Sequence, residues 1–381
     1  MPTPIHDLLV LGAGPSGLAI AHAALAQGHK VAVLSPDPKG PWDKMLCAWQ
    51  DELPAGTPVM KSWTRATVHL DEPDARTIER AYSLIDNAAL QRQLSEGLQL
   101  IDARAAQIEH TSQYSQVCGL KARVVVDASG HKPALLQTPS TDPVGWQTAF
   151  GATLHGRHGL PLNEAVFMDW RAADTTQNPQ SAPTFLYALP LGPERIFVEE
   201  TSLIAGKAPT MESLRARLLQ RLEGLGLQGK LEGEERCLFP MGVPLPSVQR
   251  VVPFGAAAAM VHPATGYSVG RSLRSASTLV QAYDSSLAPA AASAKMWTAL
   301  WPSSARRARS LHMMGARILA GLDTLQTRAF FGAFFDLPVP VWSRYLDSES
   351  SPVWPMLKLF GSAEAPVRRQ LLSSTLSQGV A

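Results

Sequence analysis

The sequence predicts an α/β protein: a Rossmann-type dinucleotide-binding domain, an inserted antiparallel-sheet substrate domain and a helical C-terminal region. Three observations point there. Residues 6–34 read as strand, Gly-rich turn, helix and strand; residues 146–204 are dense in aromatic and β-branched residues broken by Gly, Pro and Asn; the chain beyond 286 reads as helix-rich. A length of 381 residues fits two domains, or one large domain with an insertion. Apolar residues make up 45% and charged residues 17%, which excludes a disordered or acidic-tail protein. A net charge of +2 argues against a nucleic-acid partner, which calls for a strongly basic face. Low charge with near-neutral hydropathy suits a greasy ligand or a membrane surface.

In chain order, DLLVLG is a short buried strand, GAGPSG a turn, LAIAHAALAQG an Ala-rich helix and KVAVL a second buried strand. Gly12, Gly14 and Gly17 fit G-x-G-x-x-G, with Pro15 and Ser16 between the last two. Gly12 allows the tight turn, Gly14 lets a pyrophosphate approach the backbone, and Gly17 lets helix and strand pack closely. The helix start then presents free N–H groups to the phosphates. Gly224–Gly229 fits the same spacing but follows an amphipathic helix, so it reads as a helix C-terminus and loop. At the end of the second strand, Ser35 can bond a ribose hydroxyl; Asp37 either reaches it from two residues on or is a solvated turn residue. IDNAALQRQLSEGL reads as a helix with Asp86 as N-cap, followed by a strand near 98–110. KARVVVDASG is another buried strand, ending at Asp127. A helix is expected over 211–223, then a strand, RVVPFG, an Ala-rich turn and a further helix from near Gly266.

Cys47, Cys118 and Cys237 form no CxxC pair, so neither a disulfide framework nor a zinc site is indicated, and a reducing cytosol fits best. No His pair shows metal-ligand spacing. The N-terminal residues lack the basic and apolar regions of a signal peptide, and no Arg/Ser-rich transit segment precedes the first motif. The long uncharged run between Arg250 and Arg271 is interrupted by Pro and Gly, so it reads as buried site backbone rather than a membrane helix.

Two clusters carry chemistry. Phe197-Val198-Glu199-Glu200-Thr201 puts adjacent carboxylates on an apolar strand, where alternation points them to opposite faces. One faces a ligand and the other pairs structurally or reaches solvent; the alternative is an edge strand with two solvated acids. In the second cluster, Met260–Ser268, Gly and Pro permit close approach to a planar ligand. His262 there is either a functional group or a satisfied core histidine.

Taken together, GAGPSG, Trp49-Gln50-Asp51-Glu52, FMDWR, PTFLYALPLG, IFVEET, PMGVPLP and GAAAAMVHPATGY resemble, in order, the motifs of the flavin-dependent lycopene cyclase family. FVEET differs by one conservative change from that family's FLEET motif. The wider fold is similar to geranylgeranyl reductases and flavin hydroxylases. The resemblance implies a discontinuous FAD-binding domain over 1–80, 110–145 and 250–285, a substrate domain over 146–249, and a helical region over 286–381. It implies FAD held by Gly12, Gly14, Pro15, Ser16, Gly17, Ser35, Asp37, Asp127, Gly255, Pro263, Gly266 and Tyr267. Ser35 stands where members usually have an acid.

The implied reaction is a redox-neutral ring closure on the ψ-end of lycopene or a related acyclic carotenoid, with FAD kept reduced by NADPH or NADH. Glu199 is expected as acid or cation-stabilising carboxylate, Glu200 as its partner and His262 beside the flavin. A carotenoid substrate implies peripheral contact with a membrane, and with other enzymes of the pathway. Arg306, Arg307, Arg309 and Arg317, followed by Ala329–Phe335, read either as an interfacial anchor or as helices packing on the domain. Rival readings are an isoprenoid reductase or hydroxylase on the same fold, and a non-catalytic carotenoid-binding protein.

Overall fold

A computed structural model describes residues 4–70, 75–139, 141–171, 182–347, 350–362 and 368. The expected βαβ unit forms as strand Ile5–Leu11, helix Pro15–Ala26 and strand Val31–Ser35. Ile5–Leu11 runs parallel to Val31–Ser35 on one side and to Leu120–Asp127 on the other. Gln99–Asp102 and Val251–Pro253 extend the parallel set, and two short antiparallel strands complete the sheet. Leu8 to Leu11 are buried without interruption because both faces of this sheet are covered. Helices Pro15–Ala26 and Val269–Gln281 share one of those cores. Asp86 caps helix Asn87–Ser95 by accepting from the Ala89 N–H at 2.9 Å, as the sequence predicts.

The second sheet has seven strands in the order Lys230–Met241, Gly145–His155, Arg195–Ala205, Phe185–Gly192, Glu164–Asp169, Arg65–His69 and Ala75–Ile78. It is not purely antiparallel, since Glu164–Asp169 runs parallel to Arg65–His69. Strands Arg65–His69 and Ala75–Ile78, expected in the nucleotide-binding domain, therefore form the far edge of the substrate sheet. The strand at 99–102, which falls between the expected segments 1–80 and 110–145, joins the parallel sheet. Strand character is local, whereas the choice of sheet depends on partners far along the chain.

One face of this sheet is covered by helix Met211–Gly224, whose Leu214, Leu218 and Leu222 pack on Phe150, Ile196 and Val198. The other face carries Phe185, Leu189, Phe197 and Leu203 into an aromatic core with Trp49, Trp170 and Trp342. Gly224–Gly229 is indeed a helix end: Leu225 caps the helix and Gly226 has φ +65°.

Five helices follow from Pro289 to Ser362, and the residues beyond, Arg368 excepted, lie outside the described ones. Helix Thr324–Phe335 opens with a full capping box between Asp323 and Gln326. Its Phe330, Phe331 and Phe334 are buried and share the aromatic core, with Phe335 half-buried beside them. The aromatic run is therefore an inner wall, not an interfacial wedge. Arg309, also expected at the interface, is 5% exposed and donates to the Val243 carbonyl at 2.5 Å. Arg306, Arg307 and Arg317 are exposed. Among the described residues no helix is long and apolar enough to cross a membrane.

Candidate active site

The Gly-rich turn has the shape its spacing requires. Gly12 adopts φ +97°, and a Cβ there would lie 2.6 Å from the Ala128 carbonyl oxygen; at Gly17 it would lie 1.9 Å from the Gly12 carbonyl oxygen. Gly14 differs, with φ −74° and nothing within 4 Å of an added Cβ. Its backbone faces open space at the start of the helix, where Pro15 takes the first position and no side chain caps the N–H groups. Ser16 donates to the Ser272 hydroxyl at 2.9 Å, tying the two helices together. Gly255, at φ +64°, passes so close that a Cβ would meet the Ser16 hydroxyl at 2.5 Å. Gly12, Gly17 and Gly255 thus let the turn, helix and neighbouring loop pack closely, while Gly14 leaves the helix start open, an arrangement that fits a dinucleotide.

Other expected contacts are placed differently. Ser35 is buried at the end of its strand. Asp37 is exposed, with its carboxylate folded over Gly40, so the turn alternative accounts for it. Asp127 is fully buried and accepts from the Ser129 N–H and hydroxyl and from the Leu135 N–H at 2.8 Å. Its carboxylate is spent on shaping its own loop, not on a ligand; Gly130 in that loop, at φ +104°, faces a cavity.

That cavity, about 750 Å³, runs from Gly130, Ala256 and Gly266 to the second sheet and the phenylalanines of helix Thr324–Phe335. Gly266, at φ +81°, lets the Gln147 side chain come close, and the buried Gln147 Oε1 has no hydrogen-bond partner among the described residues. An N–H of a bound ring system would satisfy it. Tyr267 also lines the cavity, its hydroxyl 3.0 Å from that of Tyr82. Pro263 is buried behind this wall.

His262 is buried at 1% exposure and turned away from the cavity. Its Nε2 donates to the Tyr345 carbonyl at 3.1 Å, its Nδ1 accepts from the Ala264 N–H, and its ring lies 4.4 Å from that of His312. Burial, reinforced by His312, holds it well below the usual imidazole range, so it is neutral. The core-histidine alternative describes it, and we give it no chemical role.

Alternation separates the two glutamates. Glu200 faces the covering helix, fully buried, and accepts from Arg221 Nε at 2.6 Å. Arg221 is held in turn by the carbonyls of Thr184 and Arg171. Glu199 faces the cavity with Phe197 and Thr201. Its Oε1 accepts from the Thr201 hydroxyl at 2.6 Å, while burial pushes the carboxyl up to about 7, helped by the charge of Glu235. A protonatable carboxyl in an apolar, aromatic-walled cavity has the chemistry that a general acid needs. Sequence reasoning missed Glu235 and Cys237, which share this wall. They stand in the charged run EGEERC, which reads locally as a solvated strand; only period-2 alternation with the cavity face known would separate Glu235 from Glu234.

The profile described as "Lycopene cyclase protein" matches residues 7–368. The chain belongs to the lycopene cyclase family. It is 38% identical over 397 residues to the lycopene beta cyclase of Synechococcus elongatus, covering 97% of this chain and 96% of that one. It is 35% identical over 372 residues to the chloroplastic/chromoplastic lycopene beta cyclase of Capsicum annuum, covering 90% and 75% of the two chains. Among solved structures, a geranylgeranyl bacteriochlorophyll reductase-like protein from Thermoplasma acidophilum superposes with a TM-score of 0.69 at 14% identity, covering 97% and 99%. An arginine-to-glutamine variant of Klebsiella pneumoniae HpxO, in a complex with FAD, gives 0.63 at 16%, covering 91% and 100%. These place this cyclase-family chain on the fold that the sequence predicts, and the family resemblance of its motifs is borne out.

Proposed function

We propose that the protein is an enzyme that closes the ψ-end of lycopene, or of a related acyclic carotenoid, into a β-ring. The observation that carries this is Glu199: a carboxyl that burial pushes up to about 7, in an apolar cavity also lined by Gly130, Ala256 and Gly266. Glu199 donates that proton to the terminal double bond, leaving a tertiary cation. The neighbouring double bond attacks it, and loss of a ring proton forms the β-ring. Having given its proton, Glu199 remains as a carboxylate beside the cation. At about 4 Å and an effective permittivity near 20 that is worth about 4 kcal/mol, or three decades in rate. The phenylalanine wall excludes water that would trap the cation.

FAD would be held by the Gly12–Gly17 turn, Ser35, Gly255, Gly266 and Tyr267. Kept reduced by NADPH or NADH, it would supply negative charge that favours the cation. Glu200 acts by holding the strand through Arg221. Carotenoids reside in bilayers, so the protein works at a membrane surface, beside other enzymes of the pathway. The exposed face of helix Val353–Ser362, with Val353, Trp354 and Leu357, suits that contact: Trp354 is 51% exposed and Lys358 lies 4.6 Å from its ring. Expression in a lycopene-accumulating host tests the function. A product of unchanged mass with a blue-shifted spectrum is expected; a product heavier by two hydrogens or by oxygen would point to reduction or hydroxylation instead.

A further inference from the structure

We propose that Glu235 is the base of the ring closure: it accepts the proton the new ring loses and passes it back to Glu199. The inference rests on the function proposed above and assigns the half of the chemistry that one acid leaves undone. Register brings the two carboxyls together. Strand Gly145–His155 lies between Arg195–Ala205 and Lys230–Met241, and its Gly151 is the cross-strand partner of both Glu199 and Glu235. All three residues therefore point to one face. Because Gly151 has no side chain, nothing on the central strand stands between the carboxyls, and Phe197 lies over it instead. Oxygens of Glu199 and Glu235 and the Cys237 sulfur come within 4.8 Å of one another, all on the cavity wall.

The hydrogen bonds differ in a way that sets the direction of proton flow. Glu235 accepts twice, from the Met45 N–H at 2.8 Å and from the Cys237 thiol at 3.4 Å, with Lys44 nearby. Glu199 accepts only from Thr201. Burial raises Glu235 as it does Glu199, but two donors and the nearby Lys44 work against that rise at Glu235 where Glu199 has one donor, so one proton held between the pair resides on Glu199. The other titratable groups facing the pair are Cys47, Cys237, Tyr187, Lys44 and Asp43. Burial pushes both thiols far up, Cys47 to about 12, and raises Tyr187 as well, so none of the three ionises near neutral pH.

The proton balance closes on this pair. Glu199 loses one proton to the terminal alkene carbon, a C–C bond forms, the ring carbon loses one proton to Glu235, and transfer from Glu235 to Glu199 restores the start. No net proton or electron is consumed, as an isomerisation requires.

The test measures lycopene cyclisation against pH for FAD-loaded wild type, Glu199→Gln, Glu235→Gln, Glu235→Asp and Cys237→Ala, with FAD content and melting temperature as folding controls. Glu235→Gln is expected to lose at least about 100-fold in rate and the fall in activity at low pH. Glu235→Asp should keep both limbs of the profile at reduced rate. Cys237→Ala removes one donor from Glu235, so its low-pH limb should move to higher pH, which loss of packing alone would not cause. A Glu235→Gln variant cyclising at near wild-type rate with an unchanged low-pH limb, while Glu199→Gln is inactive, overturns the base assignment. If Glu235→Gln fails to fold, an unmoved limb in Cys237→Ala overturns it. Normal cyclisation by Glu199→Gln would instead remove the function on which the inference rests.

Discussion

Glu199→Gln keeps the size of the side chain and a partner for Thr201 but removes both the transferable proton and the charge left behind. Folding and FAD content should survive, and turnover should fall by at least about three decades, measured as single-turnover cyclisation of lycopene in detergent. Glu200→Gln is expected to act through the fold. It leaves the buried Arg221 without its counter-charge, which costs about 3–5 kcal/mol and should appear as an earlier urea midpoint. Equal stability of the two variants would show that the strand does not depend on this pair. The pH dependence follows from Glu199 as well. Its carboxyl is raised from the ordinary range to about 7, so the acid is protonated below that pH and spent above it. Cyclisation should therefore fall as pH rises through about 7, by roughly tenfold per unit beyond it.

At the scale of elements, the glycine turn and the last described helix make separable predictions. Gly14 has an ordinary backbone conformation and open space around it, so Gly14→Val should fold normally and lose FAD binding. Gly12→Val, at φ +97° and against the Ala128 carbonyl, should fail to fold at all. Titration of FAD into refolded apoprotein distinguishes the two; unchanged affinity in Gly14→Val would mean that the pyrophosphate lies elsewhere. On helix Val353–Ser362, Trp354→Ser with Leu357→Ser should reduce co-sedimentation with liposomes while leaving the melting temperature close to wild type. Phe331→Ser, from the run read in sequence as a membrane wedge, should do the reverse, because that ring packs against Trp170. Liposome binding indifferent to the Trp354 and Leu357 changes would move the contact to another surface.

For the whole molecule, the decisive arrangement is a cavity shared by Gly130, Ala256 and Gly266, the Glu199 strand and the phenylalanine helix. Under the proposed ring closure, reductant would be needed only to keep a bound flavin reduced. Nicotinamide oxidised per ring formed should therefore stay well below one under anaerobic conditions, followed at the nicotinamide absorption band. One equivalent per product would place the chain with the reductases whose fold it shares.

Much of the protein was legible without a structure because the informative patterns are local. The βαβ turn needs three glycines at fixed spacing, Asp86 needs only the next turn of helix, and the opposed directions of Glu199 and Glu200 follow from the pleat of one strand. Motif order across the chain was enough to give the family. What the sequence left open depended on segments that meet only after folding. Residues 65–78 carry strand character but nothing that selects their sheet, and His262 meets His312 and Tyr345 only through the C-terminal helices. The phenylalanine run has one apolar face, which would look the same turned to lipid or to a core. Glu235 stands among charged neighbours until register sets it beside Glu199 across Gly151. Propensity and alternation are properties of a few adjacent residues; strand order, register and the face turned to a cavity are set by contacts between distant parts of the chain, and only the tertiary structure decides those.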